Sequence, residues 1–484
     1  MLFNSLDFAI FLPLVFLCYW FVFNKNLKLQ NLFVAIVSYI FYGWWELDFL
    51  LLIFISTIAD YFVGIKIFST SNYFKKRLYL CLSLFVNLGM LAYFKYFNFF
   101  IDNFNKAFTI FGSDFNIHSL QIILPVGISF YTFQTLSYTI DIYKGKLKPT
   151  KDFVAFSAFV SFFPQLVAGP IERAKNLLPQ FRDKREFHYE KAVDGLRQIL
   201  WGLFKKLVIA DNCAVYVNYI FENQADLSGS TLLFGAILFT FQIYGDFSGY
   251  SDIAIGTARL FGFNLMQNFA YPLFSRDIPE FWRRWHISLT TWFRDYVYIP
   301  LIRLGGTGNF YRIRNIFILF FLTGIWHGAN WTFIAWGTLN AVYFIPYLIF
   351  KKKKSHKGIV AENSNFPSFK EVYNIFISFI LSVLAIILFR AQTITEAWSF
   401  YKGMIDFSLL SLPYYRGIGY SRPLLILIVF FMLIEWYGRR ESHALAGLSN
   451  IKSTLVRKLI YFLIILLIGV YMWAETSDFI YFQF

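Results

Sequence analysis

NIFILFFLTGIWHGANWTFIAWGTLNAVYFIPYLIF, residues 315–350, decides the class of fold. Its apolar residues come in two blocks instead of in an amphipathic stripe, and each block is close to the ~20 residues that cross a bilayer core. The stretch reads as two spans, 315–329 and 331–350, with His327 inside the first.

Working outward, the same pattern recurs at 6–23, 31–44, 48–65, 78–94, 121–142, 196–220, 231–250, 372–390, 423–438 and 458–474. That makes twelve spans, an all-α polytopic membrane protein, and the composition of 57% apolar and 15% charged residues agrees. Aromatics reach 22%, more than interfacial belts use, so many must line helix contacts or a cavity. The first basic residue is Lys25 and no small-residue cleavage site follows the opening block, so the first span is expected to be retained. Cys18, Cys81 and Cys213 lack the spacing of a disulfide framework, zinc site or redox pair.

The net charge of +15 does not point to nucleic acid, because the basic residues are divided among loops between spans instead of forming one stripe. With the N-terminus outside, the inner loops hold 34 of the 44 Lys and Arg, and the outer loops hold five against ten Asp and Glu. The positive-inside rule therefore sets both termini outside and Lys351–Lys354 in the cytoplasm.

No internal repeat divides the chain. The expected organisation is a single membrane domain over 1–484: an N-terminal bundle with the catalytic core at 1–350, a cytoplasmic loop at 351–370, and C-terminal helices with an outer tail at 371–484. Pro164, Gly169 and Pro170 interrupt the apolar stretch 153–170, which predicts a re-entrant or broken helix buried against protein. Residues 270–304 alternate aromatics with Arg and Asp, as interfacial or cavity-lining helices do.

Intramembrane polar residues mark function, and three clusters stand out. In FQIYGDFSGYSDIAIG, Asp246 and Asp252 lie among Gly245, Gly249, Ser248 and Ser251. Small residues permit close backbone approach, and the carboxylates are expected to pair with arginines of the following segment, as a structural network or as catalytic groups. In EFWRRWHISLTTWFRDYVYIP, Arg283 and His286 would share a helix face, with Arg284 and Arg294 nearby. That arrangement suits an anionic ligand such as the phosphates of a nucleotide-bearing thioester, or equally a snorkelling interfacial helix. In FFLTGIWHGANWTFIAW, His327 can serve as a general base at neutral pH or can be a satisfied buried histidine, and Gly328 is expected to leave room beside its ring. The six histidines show no metal-ligand spacing, so no metal is expected. Neither a phosphate-binding loop nor a serine-hydrolase elbow is present.

These clusters, with PVGISFYTFQTLSYTIDIYKG, VAGPIERA, TGIWHGANWTFIAWGTLNA and FIYFQF, resemble the membrane-bound O-acyltransferase family over almost the whole chain. The bacterial branch acting on alginate, peptidoglycan and other polysaccharides is the nearest in wording; IRLGGTG after Tyr298–Leu301 departs from many relatives. The resemblance implies a central funnel, His327 as the catalytic histidine and His286 as the second, and acyl transfer from a cytoplasmic donor to an extracytoplasmic polysaccharide. It further implies acetyl-coenzyme A as donor with no permanently bound cofactor, a bacterial cytoplasmic membrane location, an extracytoplasmic acyltransferase partner, and an acyl relay at Tyr481. D-alanyl transfer to teichoic acid and secondary transport are the competing functions.

Overall fold

A computed structural model describes the chain except for residues 111–116, 168, 307, 351–354, 416–417, 473–478 and 481–484. The described residues form helices and no strand, as self-satisfied backbone in a bilayer requires. They divide into two compact units, Met1–Gly195 with Ala254–Met266, and Leu196–Ile253 with Gln267–Phe484.

The first unit holds α1 (Leu6–Leu17), α2 (Leu27–Gly43), α3 (Phe49–Ser69), α4 (Tyr73–Leu91), α5 (Phe97–Ile110), α6 (Ile128–Tyr143), α7 (Phe153–Ser161), α8 (Phe163–Leu166) and α9 (Ala174–Leu177). Side chains of Ser5, Asn26, Asn72 and Asp152 cap α1, α2, α4 and α7 by accepting first-turn N–H groups. The expected break in 153–170 falls at Phe162, between α7 and α8, where the Ser38 hydroxyl accepts the Phe163 N–H at 3.0 Å. Buried polar groups of α3 and α4 satisfy one another. Asp60 accepts from Ser83 at 2.5 Å and Asn87 at 2.8 Å, tying α3 to α4.

The second unit contains most of α10 (Tyr189–Leu203), then α11 (Asp211–Glu222), the first part of α12 (Gly229–Leu260), α13 (Ile278–Arg284), α14 (Ile287–Phe293), α15 (Ile299–Leu304), α16 (Asn309–His327), α17 (Trp331–Ile349), α18 (Phe369–Arg390), α19 (Ile394–Met404), α20 (Arg422–Gly438) and α21 (Thr454–Tyr471). Between α10 and α11 the backbone widens into a π-helical segment, Phe204–Ala210. Glycine brings α10 and α12 together: a Cβ at Gly202 would stand 2.5 Å from the carbonyl oxygen of Gly249. The α16–α17 hairpin is closed the same way, since a Cβ at Gly337 would stand 2.3 Å from the Phe320 oxygen.

By length and composition, six helices among the described residues can cross a bilayer: Phe49–Ser69, Tyr73–Ile110, Gly229–Leu260, Trp331–Ile349, Phe369–Arg390 and Thr454–Tyr471. Three shorter apolar helices, Leu6–Val22, Leu27–Gly43 and Phe153–Leu166, accompany them. The count of twelve is therefore not reproduced, for physical reasons visible in the remaining segments. Helix α16 opens with Arg312 and Arg314, the 196–220 block carries Lys205 and Lys206, and the 121–142 block becomes helical only at Ile128. Residues 95–110, expected in an outer loop, instead continue α4 into a helix 38 residues long.

The glycine contact generates a stability prediction. Gly202→Ala is expected to destabilise the protein by about 1–3 kcal/mol, as overpacking does. Gly89→Ala is the control, because nothing lies within 4 Å of the added carbon there. Thermal unfolding of both variants in detergent checks this, and equal melting temperatures would contradict the close approach.

Candidate active site

The glycine contact between α10 and α12 presents two adjacent lysines to the two carboxylates of α12. Lys205 pairs with Asp252 at 2.5 Å, and Lys206 bridges Asp246 at 2.8 Å and Asp211 at 2.9 Å. Asp252 also accepts from Gln198 at 2.7 Å. Both carboxylates thus pair with lysines of the π-helical segment and not with the arginines expected. Glu435 of α20 lies in the same unit, accepting from Trp201 at 2.9 Å and Tyr244 at 2.5 Å. Lys205, Lys206 and Glu435 went unmarked in the sequence reading, although charge inside an apolar block was the signal that singled out the two aspartates.

His286 does not share a helix face with Arg283. Helix α13 ends at Arg284, Trp285 is extended, and His286 is left-handed with φ 43°, at the N-terminal edge of α14. Such a conformation is costly for a non-glycine residue and persists only where the surroundings hold it. Asn268 is the main support. Its backbone carbonyl accepts the Ile287 N–H at 2.8 Å, and its Oδ1 lies 3.1 Å from His286 Nδ1 and accepts from the Ser288 hydroxyl at 2.8 Å. The Ser288 backbone N–H donates to that same oxygen at 3.3 Å while Nδ2 donates to Ser251 at 2.9 Å, so Oδ1 faces the imidazole and assigns the proton to Nδ1. Nε2 is then the basic nitrogen. Phe247 meets the ring edge-on at 4.6 Å.

His327 ends α16, 3% exposed, in an aromatic cage made by Trp326, Trp336 and Phe389 with ring centroids 5.0, 5.0 and 5.1 Å away. Trp326 is also 5.9 Å from His286, so one indole touches both histidines. The room expected beside Gly328 is taken by Phe333, whose ring carbon would lie 2.2 Å from a Cβ there. The space beside His327 is instead a chamber of about 30 Å³ bounded by Trp282, Trp285, Trp336, Asn340 and Phe389. Trp282 also lines a larger apolar cavity of about 390 Å³, whose charged lining residues among those described are Arg283 and Arg294. The two spaces share that indole as a wall, held by its N–H to Asn340 at 3.2 Å.

Four arginines of this region are engaged within the protein. Arg276 and Arg284 both engage Glu280, at 2.9 Å each. Arg283 donates to the Ser355 hydroxyl at 2.7 Å and to the His356 carbonyl, and Arg294 pairs with Asp295 at 2.7 Å. Asp277, Glu280 and His356 form a cluster that sequence spacing did not foreshadow, with ligand-capable atoms within 4.8 Å of one another. Glu280 is engaged by two arginines, and Asp277 accepts from His356 and Ser355, so the cluster reads as an anchor for residues 355–358.

Tyr481 lies outside the described residues. Just before it, Phe479 is fully buried against Tyr250 at 4.4 Å and Phe247 at 5.8 Å, and the Ile480 N–H donates to Asp246 at 2.7 Å. The carboxylate that Lys206 holds therefore also seats this segment, and Phe247 is in ring contact with both Phe479 and His286.

The sequence model of MBOAT, the membrane-bound O-acyltransferase family, matches residues 150–389, a range that includes both histidines. "Probable alginate O-acetylase AlgI" of Pseudomonas aeruginosa is 38% identical over 448 residues, covering 92% of this chain and 82% of that protein. "Peptidoglycan O-acetyltransferase" of Helicobacter pylori is 34% identical, covering 92% and 90%. "Teichoic acid D-alanyltransferase" of Bacillus subtilis is 30% identical over a shorter stretch, 49% of this chain and 63% of that protein.

The anchor of residues 355–358 carries a pH signature. Burial works against the charged form of Asp277, but hydrogen bonds from the His356 N–H and imidazole, the Glu280 N–H and Ser355 overrule it and hold the carboxyl below its ordinary value. A depressed carboxyl contributes stability that is complete above the unfolded value of about 3.9 and is lost as pH falls through the folded value. A spin label at Lys357 is therefore expected to stay immobilised from neutral pH down to about 4 and to loosen below it. In Asp277→Asn it should be mobile already at pH 7; equal mobility of the two proteins there would remove the anchor.

Proposed function

The chain belongs to the membrane-bound O-acyltransferase family, and we propose that it moves an acetyl group from a cytoplasmic thioester to an extracytoplasmic polysaccharide. The observation that carries this reading is the pair of adjoining spaces in the second unit. The larger cavity has arginine at its wall, while the smaller holds a caged histidine. Acetyl-coenzyme A suits the first, since its phosphates would be met by Arg283 and Arg294 with charge-assisted hydrogen bonds. Arg284, Asp246 and Asp252 serve to hold the frame. The extensive similarity to proteins named for O-acetylation of alginate and peptidoglycan favours acetyl over D-alanyl transfer.

In the chemical step His327 takes the proton of an acceptor hydroxyl. The oxygen attacks the thioester carbonyl, the carbon–sulfur bond breaks, and the departing thiolate recovers the proton from the imidazolium. His286, with its proton on Nδ1, orients the donor through Nε2. Where Tyr481 is the first acceptor, the acyl group moves from sulfur to phenol to sugar, and the last step runs downhill because a phenol of pKa ~10 is a better leaving group than an alkyl hydroxyl. An extracytoplasmic partner enzyme would then complete delivery to the polymer in a bacterial cytoplasmic membrane.

Two measurements test the reading. His327→Ala is expected to abolish transfer while the protein remains folded, and Arg283→Ala to raise the donor KM about 10- to 150-fold, corresponding to a lost charge-assisted contact of roughly 1.5–3 kcal/mol. Wild-type turnover by the His327 variant would overturn the mechanism. For topology, Ala225→Cys and Lys357→Cys in a cysteine-free background are expected to react oppositely with an impermeant thiol reagent in intact cells. Labelling of Ala225→Cys alone is the predicted result; equal labelling would reject the orientation.

A further inference from the structure

The chamber beside His327 is small enough to choose the acyl group. Its volume of about 30 Å³ is on the order of two or three water-sized groups, which suits a carbonyl and a methyl. One wall of the chamber is a face of α18, with Ser382, Ala385, Ile386 and Phe389 at helical spacings of three, four and seven.

The hydroxyl and amide groups of the lining have partners within the protein. The Thr240 hydroxyl donates to the Ala236 carbonyl at 3.0 Å and that of Ser382 to the Ser378 carbonyl at 2.9 Å. Asn340 accepts from Trp282 and donates to the Trp336 carbonyl at 2.9 Å. Among the described residues the chamber lining includes no carboxylate. An ammonium-bearing acyl group such as D-alanyl would lose its hydration without gaining a counter-charge, an unfavourable exchange in so apolar a space.

We infer that this chamber is the acyl-group pocket, and that Ala385, Ile386 and Phe389 limit the transferred group to an uncharged chain of two carbons. The inference rests on the proposed acyltransfer at His327 and adds the residues that determine which group is carried.

The test supplies acetyl-, propionyl- and butyryl-coenzyme A to membranes containing the full chain and its glycan acceptor, with mass-spectrometric readout of esters released by mild alkali. A methylene that a pocket cannot hold is worth roughly 10- to 200-fold in kcat/KM, so wild type should favour acetyl over butyryl by about a hundredfold or more. Ile386→Ala, and independently Phe389→Leu, should narrow that ratio at least tenfold, while Ala385→Leu should suppress acetyl transfer itself. Comparable use of butyryl and acetyl donors by wild type, or an unchanged ratio in both enlarging variants, overturns the inference while leaving the acyltransferase reading intact. No ester from any of the three donors, or undiminished acetyl transfer in His327→Ala, overturns that reading and the inference with it.

Discussion

A charge held where water does not reach must be met by an opposite charge, and in the second unit this requirement fixes how α10 meets α12. Glycines 202 and 249 let the two backbones approach, and the π-helical segment that follows turns Lys205 and Lys206 toward Asp252 and Asp246. Removing one partner from such a pair typically costs about 3–5 kcal/mol, because the other charge is left buried and uncompensated. The glycines and the ion pairs therefore stand or fall together. Asp246 carries a further duty, accepting the Ile480 N–H, so the interaction that joins the helices also seats the segment that leads to Tyr481.

The site is built outward from that frame. Phe247, one residue beyond Asp246, packs against His286, and Ser251, one before Asp252, receives the amide of Asn268. Asn268 then orients the imidazole and holds the unusual backbone at His286. His327 comes from a separate source, the end of α16, fixed by a hairpin whose glycines bring α17 into backbone contact. Trp326 touches both rings, so the two histidines reach one neighbourhood from independent elements. A change in either frame would displace one histidine and spare the other.

The sequence made the apolar helices and the three polar clusters visible, because blocks of hydrophobic residues and isolated charges within them are local signals. The break at Phe162 was legible from Pro164 and the glycine beyond it, since proline acts on its own helix. What escaped depended on distance in space. The partners of Asp246 and Asp252 lie some forty to fifty residues earlier, and nothing local distinguishes Lys206 from an arginine of the next segment. The helix end at Arg284 was invisible for a similar reason: FWRRWHISL has no proline or glycine to stop a helix, and Asn268 imposes the turn from outside. Gly328 was read as open space, but whether space beside a glycine is empty depends on what fills it, here the ring of Phe333. The count of twelve spans is not reproduced by apolar length alone, which Arg312 and Arg314 in α16 and Lys205 and Lys206 after α10 reduce.

The central claim, that an acyl group enters on one face of the membrane and leaves on the other, is tested most directly with sealed native vesicles of known orientation. Isotope-labelled acetyl-coenzyme A is supplied from outside to inside-out and to right-side-out vesicles, and ester-linked label on the glycan is measured. The account predicts labelling of enclosed glycan in inside-out vesicles and none in right-side-out vesicles until they are permeabilised. Equal labelling in the two orientations, or labelling confined to right-side-out vesicles, would contradict it.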